Sequence, residues 1–316
     1  MLRRDFFRQV LAAASAQTLT GQQAIPFIER DIAGRPHAGK VLLALQAHSD
    51  DIPLSAAGTV AKLVKEGYTG YLVRATNDDM GDAPGLGTPG TIAENSLGNE
   101  RDNAALVGIL GLKGKFDLNY SNHQMGGIAF NELMSRLIFL IRVLKVNTVV
   151  CWDPWAHDEE NPDHYTLARG VEAACWMAGR DHDYEEHFAA PGVRPHAVTD
   201  KYYYARRPEI TRVVDISSTV DQKIDANRAN VAKGPGGKHG SRLKAELAKR
   251  GLELPLLAGD DVAADRAYIR EFLLARSREV GKRYGLEYAE AFHYIGPGAG
   301  DGRIEEYIKR NAVPRR

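Results

Sequence analysis

Three side chains at the end of one apolar run carry the first chemistry in this chain. Val41–Asp51 reads VLLALQAHSDD and delivers His48, Asp50 and Asp51 together. The run fits a buried parallel strand, and open α/β sheets place their ligands beyond the carboxyl ends of such strands. An imidazole with one of two neighbouring carboxylates can hold a divalent metal, while the other carboxylate handles protons. H-x-D-D is a short pattern, and the alternative is a strand-end turn whose acids cap the next helix. A second cluster, Asp153–His164 (DPWAHDEENPDH), places two histidines and five acids in twelve residues, again after a predicted strand. His164 stands where a helix begins, directly after Pro162-Asp163. Two strand ends of a parallel sheet can converge at a switch point, which would bring His48, Asp51 and His164 together. Two histidines and a carboxylate leave a fourth tetrahedral position for water, the arrangement of a catalytic zinc rather than a structural one. Fe²⁺ accepts the same donors. There is no C-x-x-C pattern, so any metal must be held by histidines and carboxylates. Ser49 lies beside His48, but without a G-x-S-x-G elbow it does not make a serine hydrolase.

The elements that must position these residues alternate along the chain. Val41–Ala47 reads as a strand, Leu54–Glu66 as a helix ended by Gly67, and Tyr68–Thr76 as a second strand. Residues 77–98, with several glycines and two prolines, read as a long loop, either a substrate loop or lid on the rim of His48 or a surface insertion. Helix 100–110, strand 116–120, helix 130–144, strand 148–152 and helix 165–177 follow. This alternation predicts an α/β fold with a Rossmann-like, mainly parallel sheet flanked by helices and right-handed crossovers. After Gly179 the pattern weakens into a less regular C-terminal part. Strands are expected at 201–206 and 212–216, and helices at 219–232, 243–249 and 261–284. Lys233–Gly240 (KGPGGKHG) is a flexible loop that lacks the spacing of a phosphate-binding loop. His123 in NYSNHQMGG and the histidines 182, 187 and 196 read as surface residues, and Tyr202–Tyr204 as a strand with at least one ring buried.

The chain has 316 residues, 41 basic and 41 acidic, so its formal net charge is zero. Electrostatics therefore point to neither nucleic acid nor a membrane surface as partner. Cys151 and Cys175 fall in a predicted strand and helix and read as buried thiols. The N-terminus differs from the rest: Met1–Phe7 (MLRRDFF) and then Val10–Ala16 (VLAAASA) resemble a twin-arginine export signal. The segment is too short and polar to be a permanent membrane anchor. The other reading is a basic amphipathic helix packed on the domain. Residues 1–35 are thus expected to be signal and linker, 36–300 the domain, and 301–316 a tail.

The strand-end H-x-D-D, the later P-D-H before a helix, and their order resemble the LmbE-like / PIG-L family of zinc-dependent N-acetylglucosaminyl deacetylases. Val213–Ala226 (VVDISSTVDQKIDA) and Tyr288–Phe292 (YAEAF) are similar to two further segments of that family. The resemblance spans about residues 40 to 295. It implies that His48, Asp51 and His164 bind the metal, that Asp50 is the general base, and that Asp163 supports the last histidine. It further implies Asp79 and Arg101 as substrate contacts. The family's H-P-D-H is Asn161-Pro162-Asp163-His164 here, and Asn230 stands near where the family often has another histidine. Asn161 can donate a hydrogen bond to an oxyanion but cannot shuttle a proton, so His157, four residues earlier, is the candidate substitute.

The expected function is hydrolysis of an acetamide on an N-acetylated amino sugar or its conjugate, by zinc-activated water with Asp50 as base and with Asn161 or His157 assisting. Two rivals keep the same fold: a non-catalytic carbohydrate-binding protein, and a hydrolase of a different N-acyl amide. The sequence says nothing of oligomeric state.

Overall fold

The computed structural model describes residues 25–80, 91–155, 158–204, 207–296 and 302–313. The expected export signal and His157 lie outside the described residues, as do residues 81–90 of the expected lid. Strands β1 (Phe27–Glu29), β2 (Val41–Gln46), β3 (Thr69–Thr76), β4 (Gly114–Tyr120), β5 (Thr148–Trp152), β6 (Asp200–Tyr204), β7 (Arg212–Asp215) and β8 (Ala289–Ile295) form one sheet. Their order is β1-β7-β8-β6-β5-β2-β3-β4. Every described pair is parallel except those made by β8, which runs against β6 and β7.

The apolar run of β2 is explained by its central place. Leu42 to Leu45 are buried between helices on both faces, as in a doubly covered parallel sheet. Beyond it the chain forms α1 (Asp51–Ser55) and α2 (Ala57–Lys65), separated at Ala56, whose φ of −143° leaves the helical region. The expected single helix from Leu54 therefore begins three residues earlier and is broken. The loop expected over 77–98 is cut short by α3 (Ile92–Ile109), whose start is fixed by a capping box between Thr91 and Glu94. Helices α4 (Phe130–Leu144) and α5 (Pro162–Met177) pack together, with Gly170 of α5 so close to Leu133 that an added Cβ would lie 3.0 Å from it.

In the C-terminal part, α6 (Val220–Ala229), α7 (His239–Lys249) and α8 (Asp261–Tyr268) lead into a π-helical turn, Ile269–Leu273, then α9 (Ala275–Arg283). The turn replaces what reads in sequence as one long helix. Residues 302–311 form a last helix, α10 (Gly302–Asn311), within the expected tail. The segment expected to be linker supplies β1, which pairs with β7. Among the described residues, no helix is long and apolar enough to cross a membrane.

The YAEAF segment has a structural task. Glu290 accepts hydrogen bonds from the backbone N–H groups of Gly58 and Thr59 at 3.1 and 2.8 Å, and from the Lys223 ammonium at 2.6 Å. A carboxylate thereby neutralises the N-terminal turn of α2 and pairs with the lysine of the VDI segment. The two distant motifs lock β8 and α6 onto the helix behind the H-x-D-D turn.

Candidate metal centre

β2 pairs with β3 on one side and β5 on the other, so the chain reverses direction across the sheet at the β2–β5 boundary. Ligand sites of open α/β sheets form at the carboxyl ends on such a boundary. His48 leaves β2 there, and His164 lies in the first turn of α5 after β5.

The donor atoms of His48, Asp51 and His164 all lie within 4.8 Å of one another. Nδ1 of His48 is 2.9 Å from Nε2 of His164, and Asp51 Oδ1 is 3.3 Å from that same Nε2. The outer nitrogens are taken up: Nε2 of His48 sits 3.0 Å from Asp163 Oδ2, and Nδ1 of His164 sits 3.0 Å from Glu159 Oε1. A carboxylate partner fixes the proton on the outer nitrogen of each ring. The two inner imidazole nitrogens and a carboxylate oxygen then face one point, the donor set of a divalent cation. The separations bracket the roughly 3.3 Å expected between tetrahedral donors about 2.0–2.1 Å from zinc. The residues present fit a divalent metal.

Charge in this cluster follows the same logic. Burial alone would lower the pKa of His164, but the charges and hydrogen bonds of Asp51 and Glu159 outweigh it and push the imidazole up to about 9. Burial acts to raise Asp51, yet the charge and hydrogen bond of His164, with lesser help from His48, hold its carboxyl far below the usual range. The indole of Trp152 stacks on His164 with ring centroids 4.0 Å apart, closing one face of the site.

The two adjacent aspartates are used differently. Asp51 Oδ2 accepts the backbone N–H groups of Ala47 and His48 at 2.8 and 2.9 Å, which aims Oδ1 at the histidines. Asp50 occupies the N-cap of α1 yet makes no capping hydrogen bond, so the helix-cap alternative fails for it. Burial first, then the neighbouring Asp51 charge, raise its pKa to about 6. Just before them, Ser49 donates its backbone N–H to Asp78 Oδ2 at 2.9 Å, and Asp78 Oδ1 accepts from the buried Lys233 Nζ at 2.9 Å. The turn is thus braced from below by a buried ion pair.

Several expected roles change. Asp163 is fully buried and supports His48, not the last histidine; it also accepts backbone N–H groups from His123 and Met125 at 2.6 and 3.0 Å. Glu159 supports His164 instead. Asn161 is the N-cap of α5, its Oδ1 accepting the backbone N–H of Asp163 at 3.0 Å, so that oxygen shapes the helix start. Asp79 is engaged in bracing the loop after β4, through Asn122 N–H and Ser121 Oγ at 2.9 and 2.8 Å. Arg101 is exposed in the middle of α3. It lies two residues from Asn99 and Asn103, roughly half a turn from the buried asparagine face, so it points away from the site. The Lys233–Gly240 loop is no phosphate cradle: its glycines pack against Asn227 and Asn230, and Lys233 pairs with Asp78.

Sequence reasoning missed Glu159, Asp78, Lys233 and Trp152. The available signals were a carboxylate five residues before His164 and an aromatic residue at the last position of β5. His123, read as a surface residue, is exposed but stands beside His48 with ring centroids 6.2 Å apart. His187 is buried against Arg142 rather than exposed, and all three of Tyr202–Tyr204 are buried.

Fold and site together define an α/β protein with a His–Asp–His cluster that could hold a cation at its topological switch point. Residues 43–175 match the model of the PIG-L family, GlcNAc-PI de-N-acetylase. The chain is similar to the diacetylchitobiose deacetylase of Thermococcus kodakarensis, with 26% identity over 198 residues, covering 62% of this chain and 71% of that protein. Among solved structures it is similar to the N,N'-diacetylchitobiose deacetylase of Pyrococcus horikoshii, with a TM-score of 0.63 and 20% identity over 81% of this chain and 84% of the other. It is also similar to GalB, the 4-carboxy-2-hydroxymuconate hydratase of Pseudomonas putida, with a TM-score of 0.59 and 19% identity over 83% and 98% of the two chains. These two likenesses establish the fold.

Proposed function

We propose that the protein is a metal-dependent amide hydrolase that removes the acetyl group from an N-acetylated amino sugar or a conjugate of one. The observation that carries this reading is the pairing of a complete His48–Asp51–His164 donor set with an adjacent carboxylate, Asp50, that takes no part in it. The match of residues 43–175 to a family described as a de-N-acetylase and likeness to a curated diacetylchitobiose deacetylase support the choice of bond.

A divalent cation held by His48, Asp51 and His164, zinc or Fe²⁺, would supply Lewis-acid chemistry, lowering the pKa of water towards about 7 and polarising a carbonyl oxygen. Asp50 takes the proton as water attacks the amide carbon, because its carboxylate is not tied down as Asp51 is. The same carboxylic acid then returns the proton to the nitrogen as the C–N bond breaks, releasing acetate and amine. Asp163 and Glu159 hold the two imidazoles in their orientation. Trp152 keeps water from one face of His164.

The hydratase GalB shows that this fold also serves other chemistry, so the bond cleaved must be tested directly. Purified protein loaded with zinc or Fe²⁺ should release acetate from N-acetylated sugars, and a chelator should stop it. His164→Ala should lose most of its metal by elemental analysis while keeping its fold. Metal retained in full by that variant would refute the ligand assignment. Acetate release from none of the sugars, alongside tight sugar binding, would favour the carbohydrate-binding alternative. We also propose export through the twin-arginine segment. A folded reporter fused behind residues 1–35 should cross the membrane, and the double change Arg3→Lys, Arg4→Lys should stop it.

A further inference from the structure

The chain that leaves α5 is held against α4 by one arginine and one histidine, far from the metal ligands in sequence. Arg142, in the last turn of α4, is buried. A guanidinium has five N–H donors, and each is used here. Nε donates to the Ala178 carbonyl at 3.1 Å, and Nη2 to the carbonyls of Arg180 and Asp183 at 2.7 and 2.8 Å. Nη1 donates to the Tyr184 carbonyl at 3.1 Å and to Nδ1 of His187 at 3.3 Å. His187 lies in the short helical turn Glu185–Ala189 and is 7% exposed, with Nε2 3.0 Å from Ser135 Oγ of α4. Its ring stacks on Tyr184 and meets Phe139 of α4 edge-on, with centroids 5.6 and 5.3 Å apart.

This arrangement admits only one protonation state of the imidazole. A guanidinium stays charged and can only donate, so Nδ1 of His187 must accept, which leaves the ring proton on Nε2 facing Ser135. A second proton would remove the Arg142 bond and set two buried cations side by side. No acid nearby compensates. Among the described residues, Arg142 and His187 pair with no carboxylate, while Asp183 pairs with Arg180, Glu185 pairs with His182, and Glu186 is exposed. Helix α5 offers only the carbonyls of its C-terminal end, and α4 adds Ser135 and Phe139. Burial first, then the Arg142 charge, hold the pKa of His187 below the ordinary value, with Glu186 acting the other way.

We propose that the Arg142–His187 bond is a proton-operated latch, through which mild acid releases residues 178–190 from α4 while the rest of the domain stays folded. When the segment opens, the imidazole reaches water and takes a proton that the closed form rejects. The latch is therefore at full strength above the ordinary histidine pKa of about 6.5, and opening grows by up to about tenfold per pH unit below it. Packing of Gly170 on Leu133 keeps α5 on α4, so the metal centre at the other end of α5 is not disturbed. The inference is independent of the proposed catalysis.

Hydrogen exchange of the full chain between about pH 7.5 and 5, corrected for intrinsic rates, measures the opening directly. Residues 178–190 should open more below about pH 6.5, whereas β5 and the middle of α4 should not change. His187→Gln keeps both hydrogen bonds, since its carbonyl oxygen accepts from Arg142 and its amide donates to Ser135, but it takes up no proton. Opening in that variant should lose its pH dependence. His196, the other histidine of this stretch, also has a lowered pKa, but a Val146 backbone group favours its charged form, and His187→Gln separates the two. No rise in the wild type, or a slope unchanged in His187→Gln, overturns the latch. If the variant does not fold, NMR titration of the wild-type ring decides: a His187 that gains its proton only below about pH 6.5 supports the latch, and one that gains it at or above that value overturns it.

Discussion

Asp163 shows how much of this site depends on residues that touch no substrate. Its carboxylate orients His48 and gathers the loop after β4 through two backbone N–H groups. Asp163→Ala should therefore weaken metal binding by about 10–100-fold, the usual effect of losing such a partner, without unfolding the domain. Competition with a metal-binding dye measures it, and unchanged affinity would mean that His48 needs no support. The buried Lys233–Asp78 pair makes a different prediction. Lys233→Met strands a carboxylate that is fully buried, and breaking such a pair typically costs about 3–5 kcal/mol. A large loss of unfolding free energy is expected in a denaturant titration, and a loss below about 1 kcal/mol would contradict the bracing role. These two cases mark what the sequence allowed. His48, Asp50 and Asp51 were legible because one strand end presents them contiguously. His164 was legible from its helix-start context. Asp78 and Lys233 were not, because they are 155 positions apart and lie on loops without periodicity.

Elements with strong periodicity were readable to the residue: the helix at 130–144 and the strand at 148–152 fall where their apolar patterns end. The misses have local causes. β1 is three residues long, too short to show alternation, and exists because β7 offers it an edge. The π-helical turn keeps helical spacing on both sides and so cannot be seen as a break. The split between α1 and α2 at Ala56 likewise lies inside one continuous helical pattern. Close packing can be tested at α2, where a Cβ on Gly58 would lie 2.8 Å from Ile216. Gly58→Ala should destabilise the protein by about 1–3 kcal/mol, as overpacking usually does, despite the better helix propensity of alanine. Stabilisation in a denaturant titration would show that Ile216 moves aside freely.

At the scale of the molecule, a mainly parallel sheet flanked by helices was predictable from the strand–helix alternation, and the eight-stranded sheet with one antiparallel member realises that prediction. Such a frame does not choose a reaction; the choice lies in what the switch point carries. Here one aspartate is bound into the donor set and its neighbour is left free, and the proposed activity depends on that division. The most direct measurement is acetate release and metal content for the zinc-loaded protein and its Asp50→Asn variant, side by side. Asparagine keeps the size but cannot accept a proton. The variant should retain its metal and lose about 10²–10⁴-fold in kcat, the usual worth of a positioned base. Loss of the metal, or turnover equal to the wild type, would contradict the assignment of Asp50 as base and Asp51 as ligand.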